Sequence, residues 1–133
     1  MIGIDTNVLV RFLVQDDPIQ SAAATQSFRA FSVANPGHLS VVALVETYWV
    51  LSRAYRISPD SILTTIEGLL QAEELVCQDA AIVATAVTSA RSGTDFADAL
   101  IAAASRHHGC DFVLSFDTKA QASLGFRSPA AGH

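Results

Sequence analysis

The chain opens with the stretch MIGIDTNVLV (residues 1–10), in which a short apolar run ends on an acid. Ile2–Ile4 has the length and composition of a buried strand, and Asp5 stands where that strand ends. The same kind of run recurs at Leu39–Val42, Leu75–Cys77 and Phe112–Leu114. Alanine- and leucine-rich stretches with helical spacing separate these runs, so strands alternate with helices. The alternation predicts an α/β fold, a three-layer α/β/α sandwich with a mainly parallel sheet of about four to five strands.

Helix boundaries can be predicted from caps and prolines. An aspartate–proline start predicts a helix over 17–34, and a serine–proline start predicts one over 58–71. Three further helices are expected over 43–55, 79–91 and 95–107, where apolar residues recur with helical spacing.

Length and composition predict one folded domain over residues 1–133, with a poorly ordered tail from about residue 128. Half of the residues are hydrophobic and 16% are charged, which excludes a disordered chain. No apolar run reaches the roughly 18 to 20 residues of a membrane helix. The first residues lack the basic segment of a signal peptide. We therefore expect a soluble cytoplasmic protein with no membrane partner.

Four carboxylates stand at predicted strand ends or inside apolar helical stretches: Asp5, Glu46, Asp98 and Asp117. An acid in apolar surroundings is destabilising by several kcal/mol unless a partner or metal offsets it. In open parallel sheets, sites form outside the carboxyl ends of the strands. If the fold brings these acids together, they make a hard-oxygen site suited to Mg²⁺ or Mn²⁺.

Each acid also has a simpler interpretation. Asp5 and Asp117 could each cap a helix that begins directly after them. Asp95 and Asp98 are spaced like a capping box. Glu46 lies mid-helix among apolar residues and caps nothing there, so its simpler interpretation is a glutamate that faces solvent.

Several familiar sites are excluded because their motifs are missing. The sequence has no G-x-G-x-x-G after the first strand, no G-x-x-x-x-G-K-[ST] and no G-x-S-x-G. These absences argue against a dinucleotide site, a nucleotide-phosphate loop and a serine nucleophile elbow. The net charge of −5 is unusual for a nucleic-acid-binding protein. Bound divalent cations would reverse the local sign of an acidic site, and a phosphate could then bind.

Distinctive strings appear in order along the chain: IDTNVLVR (4–11), DFADALIA (95–102) and LSFD (114–117), with Glu46 in the helix between the first two. Together they resemble the PIN domain, and within that family the VapC toxins of prokaryotic toxin–antitoxin pairs. The resemblance covers residues 1 to about 126. Ser115 stands where threonine is common in the family.

The resemblance implies roles for the acids. Asp5, Glu46, Asp98 and Asp117 would form the catalytic quartet that binds one or two Mg²⁺ or Mn²⁺ ions, with Asp5 and Asp98 as the most direct ligands. A water activated by the metal would then hydrolyse an RNA phosphodiester bond. The chain would be a metal-dependent ribonuclease and the toxic component of its pair.

Four neighbouring residues would support the quartet. Asn7 and Ser115 would hold carboxylates or water by hydrogen bonds, as the surroundings of metal ligands commonly do. Thr6 would help through its backbone at the start of a helix. Asp95 would be an outer ligand or a helix cap, and the cap is the favoured interpretation.

The resemblance also implies partners: an RNA substrate, a cognate VapB-type antitoxin and a second copy of the chain in a homodimer. The apolar stretches Val8–Val10, Phe12–Leu13 and Tyr48–Trp49 are candidates for the dimer contact or for an antitoxin groove, or they are simply core. Candidate phosphate contacts are Arg11, Arg53, Arg91, Arg106 and Lys119.

Two other functions compete with the ribonuclease. Metal-dependent phosphatases and phospho-acceptor domains also use aspartates at strand ends, although a haloacid-type phosphatase would need an acid where Asn7 stands. A non-catalytic PIN scaffold could hold RNA or a protein without cutting. The intact acidic quartet argues against the scaffold.

Overall fold

A computed structural model of the protein describes residues 1–129. The strands are β1 (Ile2–Gly3), β2 (Gly37–Leu39) and β3 (Leu75–Cys77). The helices are α1 (Thr6–Val14), α2 (Pro18–Ala30), α3 (Val41–Arg53), α4 (Pro59–Gln71), α5 (Ala80–Ala90), α6 (Phe96–His107) and α7 (Thr118–Leu124). None of these described helices is long and apolar enough to cross a membrane.

The contacts divide the chain into two compact units, Met1–Ala80 and the residues from Ala81 onward. The single domain expected over residues 1–133 stays a prediction. The poorly ordered tail expected from about residue 128 falls, from Ala130 on, outside the described residues.

The first unit contains a parallel sheet in the order β1–β2–β3. Ile2 is opposite Gly37 in one pair, and Gly37 is opposite Leu75 in the other. The ring of Phe31 and the side chain of Ile4 lie so close to Gly37 that a Cβ there would stand 2.7 and 2.8 Å from them. A larger residue at this position of the central strand would require the side chains of Phe31 and Ile4 to shift. The seven helices and the parallel sheet confirm the α/β fold and are consistent with an α/β/α sandwich.

The sheet has three strands within residues 1–129, so the expected four to five is wrong. The apolar run 112–114 forms a single parallel bridge, from Leu114 to Arg127, instead of a strand. Two hydrogen bonds flank it, from Ser115 N to Arg127 O and from Arg127 N to Val113 O, both 2.9 Å. Leu114 is 42% exposed. The run is therefore not buried in the way a central strand requires.

Local caps explain where the other boundaries differ from prediction. Ser40 accepts a hydrogen bond from Ala43 N, so α3 begins at Val41 and β2 ends at Leu39. The β-branched pair at 41–42, which the pattern assigned to a strand, is helical because of this cap. Helix α2 ends at Ala30, four residues earlier than predicted, because Phe31 is extended.

Each unit has its own buried residues. In the first unit the largest fully buried side chains are Leu9, Leu39, Leu44, Ile62, Leu63, Ile66 and Thr47. In the second they are Phe96, Val83 and Val87. Thr47 differs from the other side chains of this set because it is polar, and no described group forms a hydrogen bond with its buried Oγ1.

Candidate functional site

Asp5 stands two residues after the end of β1, at the N-cap position of α1, with extended backbone (φ −77°, ψ 153°). Its carbonyl oxygen accepts the first helical hydrogen bond, from Leu9 N at 3.1 Å. Within the described helix, its side chain accepts no capping hydrogen bond. The cap interpretation is therefore wrong for Asp5, because the backbone begins the helix without the carboxylate.

Glu46 lies in the middle of α3, and Thr6 contacts it from the first turn of α1. Thr6 Oγ1 donates a hydrogen bond of 2.9 Å to Glu46 Oε1. This bond joins residues that are forty positions apart in the chain. The sequence suggested a backbone role for Thr6, whereas the structure gives it a side-chain contact with the acid.

A cavity of about 420 Å³ connects these residues within the first unit. Its lining comes from the start of α1 and from one face of α3, with the end of α1 and the residues after α3 completing it. The lining residues are Asp5, Thr6, Asn7, Val10, Arg11, Glu46, Val50, Ala54 and Tyr55. Asp5, Thr6, Asn7 and Glu46, four of the eight predicted site residues, therefore face one space.

Arg11 and Tyr55 also line this cavity, and Asp16 holds both. Arg11 Nη1 donates to Asp16 Oδ1 at 2.9 Å, and the Tyr55 hydroxyl donates to Asp16 Oδ2 at 2.7 Å. The hydrogen bond from Tyr55 and the contact with Arg11 lower the pKa of Asp16. Sequence reasoning named Arg11 only as a phosphate contact and missed Tyr55, because a contact between 16 and 55 leaves no local pattern.

In the second unit, Asp95 and Asp98 begin α6. Asp95 is the N-cap residue, and its Oδ2 accepts a hydrogen bond from Asp98 N at 3.1 Å. The structure thus shows the favoured cap role of Asp95. The pKa of Asp98 is raised above its ordinary value of 3.8, mainly because the side chain is partly buried. The negative charges of Asp95 and Asp117 raise it further. Negative charge is therefore crowded around Asp98.

Asp117 is the N-cap residue of α7. Its Oδ1 accepts hydrogen bonds from Lys119 N at 2.9 Å and Ala120 N at 3.2 Å. The cap interpretation is confirmed for Asp117. Ser115 Oγ accepts from the backbone N–H of Asp117 at 3.0 Å, so Ser115 orients the backbone that carries the acid.

The four acids are less buried than the apolar sequence around them predicted. Asp5, Glu46 and Asp117 are exposed, and Asp98 is half-buried. The expectation of a large desolvation penalty is wrong for the three exposed acids. Strand ends and the outer face of a helix present a side chain to solvent even where their sequence neighbours are core residues.

The donor chemistry fits a hard divalent cation. Within residues 1–129, no three acidic, histidine or cysteine side chains form a group that could hold a metal ion. Mg²⁺ commonly binds through one or two carboxylates and keeps several waters, so it does not need a cage of three protein ligands. Each unit offers two carboxylates to a cation. They are Asp5 and Glu46 in the first unit, and Asp98 and Asp117 in the second.

The apolar stretches of the sequence divide between core and surface. Leu9 and Val10 are buried, so for them the core interpretation is confirmed. The ring of Phe12 stacks on that of Phe28 at 3.9 Å. Trp49 differs, because 59% of it is exposed, and the Arg53 guanidinium lies 5.5 Å from its ring centroid.

In a comparison with protein families, the model of the PIN domain matches residues 2–126. This span covers almost the whole chain and contains all eight predicted site residues. No curated protein matches the chain.

Proposed function

The chain belongs to the PIN domain family, and from this membership we propose that it is a Mg²⁺- or Mn²⁺-dependent endoribonuclease, the toxic component of a toxin–antitoxin pair. PIN domains are generally metal-dependent nucleases, which places the chain among the hydrolases that cut nucleic acids. The choice of RNA as substrate and the toxin role are the proposal.

One observation carries this proposal: Asp5 and Glu46 line the same cavity, and Thr6 holds Glu46 there. The carboxylate of Asp5 does not cap α1, although the residue stands at the N-cap position. Because the carboxylate of Asp5 does not cap the helix, it is available to bind a ligand. Two carboxylates beside a cavity are the ligands that Mg²⁺ and Mn²⁺ prefer.

The residues of the second unit support the same chemistry. The raised pKa of Asp98 shows that this acid keeps a proton more readily than an ordinary aspartate. A nearby cation would remove that preference, since it stabilises the carboxylate form. We propose that Asp98 and Asp117 act together with Asp5 and Glu46 as one acidic quartet.

The chain's own residues have separate tasks in the proposed reaction. Thr6 fixes one oxygen of Glu46, which leaves the other oxygen to accept a proton or a hydrogen bond from water. Asp117 and Ser115 set the start of α7 beside Asp98. A divalent ion held by the quartet would supply an activated water and offset the charge on the phosphate oxygens.

The test compares cleavage of structured RNA by the wild type, Asp5→Asn and Asp98→Asn, with Mg²⁺, with Mn²⁺ and with chelator. We expect metal-dependent cleavage by the wild type and a loss of at least about a hundredfold in either variant. Asp111→Asn and Glu73→Gln are matched controls, because both residues are exposed acids outside the quartet. Release of phosphate from small esters without RNA cleavage would favour the phosphatase instead.

The toxin assignment also predicts partners: a cognate VapB-type antitoxin and a second copy of the chain. It is supported by the strings around Asp5, Asp98 and Asp117, which resemble those of VapC toxins. Expression of the wild type should arrest growth, and coexpression of the antitoxin encoded beside it should restore growth. Growth arrest that persists in Asp5→Asn and Asp98→Asn alike would indicate a scaffold that binds without cutting.

A further inference from the structure

Trp49 is the only tryptophan of the chain, and more than half of it is exposed on α3. A large aromatic side chain left in water indicates a binding role more often than a small exposed apolar residue does. The guanidinium of Arg53 lies over its ring, 5.5 Å from the centroid. A flat ring and a cation are thus presented together.

These two residues share a helix face with Glu46. Val42, Glu46, Trp49 and Arg53 are spaced by four, three and four positions, so they form one stripe along α3. All four are exposed. Trp49 is one turn from Glu46, and Arg53 is two turns away, about 10 Å along the helix axis.

Glu46 also lines the 420 Å³ cavity, together with Val50 of the same helix and Ala54 directly after it. Glu46 therefore belongs both to the lining of the acidic cavity and to the exposed stripe. A strand whose phosphate reaches the acids at the cavity would pass Trp49 one helical turn further along α3.

We propose that Trp49 is a stacking platform for one base of a single-stranded RNA substrate, beside the bond that is cut, and that Arg53 contacts a phosphate of the same strand. This inference rests on the proposed ribonuclease function and deepens it. Single-stranded nucleic acids bind to aromatic rings through their bases and to cations through their phosphates, and Trp49 with Arg53 offers both.

The stripe suits RNA better than a protein partner. A stable protein interface buries roughly 800 Å² on each side, whereas a large aromatic side chain contributes only about 150–250 Å². Val42 and Trp49 are the large exposed apolar residues of α3. The cation of Arg53, 5.5 Å from the centroid of the Trp49 ring, complements a phosphate.

The first experiment uses the fluorescence of the single tryptophan. The Asp98→Asn variant, which should bind without cutting, is titrated with a single-stranded RNA of about eight nucleotides in the presence of Mg²⁺. We expect saturable quenching, because a base that stacks on Trp49 changes its environment. An abasic oligomer of equal length and charge should give no quenching.

The second experiment separates stacking from other roles. Trp49→Ala should weaken RNA binding on the order of tenfold, Trp49→Phe should weaken it less, and KM for cleavage should rise more than kcat falls. Ile19→Ala, which truncates an exposed apolar residue of α2 outside the stripe, should leave RNA binding unchanged. Arg53→Ala should lower the salt dependence of binding, whereas Arg29→Ala, an exposed arginine near the end of α2, should not.

Three outcomes would overturn the inference. RNA binding detected by fluorescence anisotropy without any change in Trp49 emission would refute stacking and leave the ribonuclease proposal intact. Absence of both RNA binding and RNA cleavage would refute both proposals. A dimer that dissociates in Trp49→Ala and in Val42→Asp, with RNA binding unchanged, would show that a second copy of the chain covers the stripe.

Discussion

Thr6 Oγ1 and Glu46 Oε1 lie 2.9 Å apart, and the hydroxyl of Thr6 donates a hydrogen bond to the carboxylate. The bond ties the first residue of α1 to the middle of α3. Because the two helices also pack against each other in the first unit, the donor is held at a fixed place. Because Glu46 is exposed and water competes for its oxygens, the bond is worth about 1 kcal/mol, which favours one orientation of Glu46.

We therefore expect Thr6→Val to slow RNA cleavage by on the order of tenfold while the KM for RNA changes little. Valine keeps the shape of the side chain and removes the donor, so the orientation of Glu46 is lost. Thr6→Ser restores a hydroxyl and should recover most of the rate. Steady-state kinetics of the three proteins check this, and equal rates for Thr6→Val and the wild type would contradict it.

Asp117 should have two separable roles. Asp117→Ala removes the cap of α7 and should lower the free energy of unfolding by about 1 kcal/mol. Asp117→Asn keeps an oxygen that can accept both capping bonds, so its stability should remain near that of the wild type. Urea unfolding measures the stability of both variants.

The same pair separates stability from chemistry. RNA cleavage should be lost in Asp117→Asn as well as in Asp117→Ala, because the amide lacks the charge that a cation needs. A fully active Asp117→Asn would mean that Asp117 serves only as a cap.

The raised pKa of Asp98 predicts how the stability of the metal-free protein depends on pH. A carboxyl group whose pKa is higher in the folded state than in the unfolded state binds its proton more tightly when folded. Its contribution to stability is present below the ordinary pKa of 3.8 and is lost as the pH rises through the higher folded value.

Asp98→Asn should abolish this pH-dependent loss. Asp117→Asn should reduce it, because the substitution removes one of the charges that raise the pKa of Asp98. Urea unfolding at a series of pH values with chelator, repeated with Mg²⁺, gives the measurement. Identical pH profiles for the wild type and Asp98→Asn would show that Asp98 does not titrate abnormally.

Thr47 provides a test of stability away from the acids. Its side chain is 1% exposed, and no described group accepts or donates a hydrogen bond at its Oγ1. Thr47→Val removes the buried hydroxyl and keeps the β-branched shape, so it should raise the free energy of unfolding by about 1 kcal/mol. Thr47→Ala leaves a cavity and should lower it. A destabilised Thr47→Val would show that the hydroxyl is hydrogen-bonded in solution.

Local signals in the sequence were sufficient for much of the fold. Apolar runs alternating with helical stretches predicted an α/β protein with a parallel sheet, and the run at Leu75–Cys77 is a strand with those bounds. The aspartate–proline start of α2 and the serine–proline start of α4 are both caps in the structure. Caps and short periodic runs depend on neighbours within a few residues, so the sequence contains them directly.

Local rules failed where two signals competed. The valines at 41–42 favour a strand, but the cap at Ser40 begins a helix there. Leu114 ends an apolar run that resembles the other strands, yet it makes only one bridge, to Arg127. The number of strands depends on which runs find a partner, and partners are chosen by the tertiary packing.

By itself, the sequence determined which residues are candidates for the site, because acids at strand ends and in apolar helices stand out in the chain. The tertiary structure decided what each of them does. It left the carboxylate of Asp5 out of the cap of α1, joined Thr6 to Glu46 and exposed Trp49 beside that acid. These relationships link residues far apart in the chain, and only the packing of the helices around the sheet sets the distances between them.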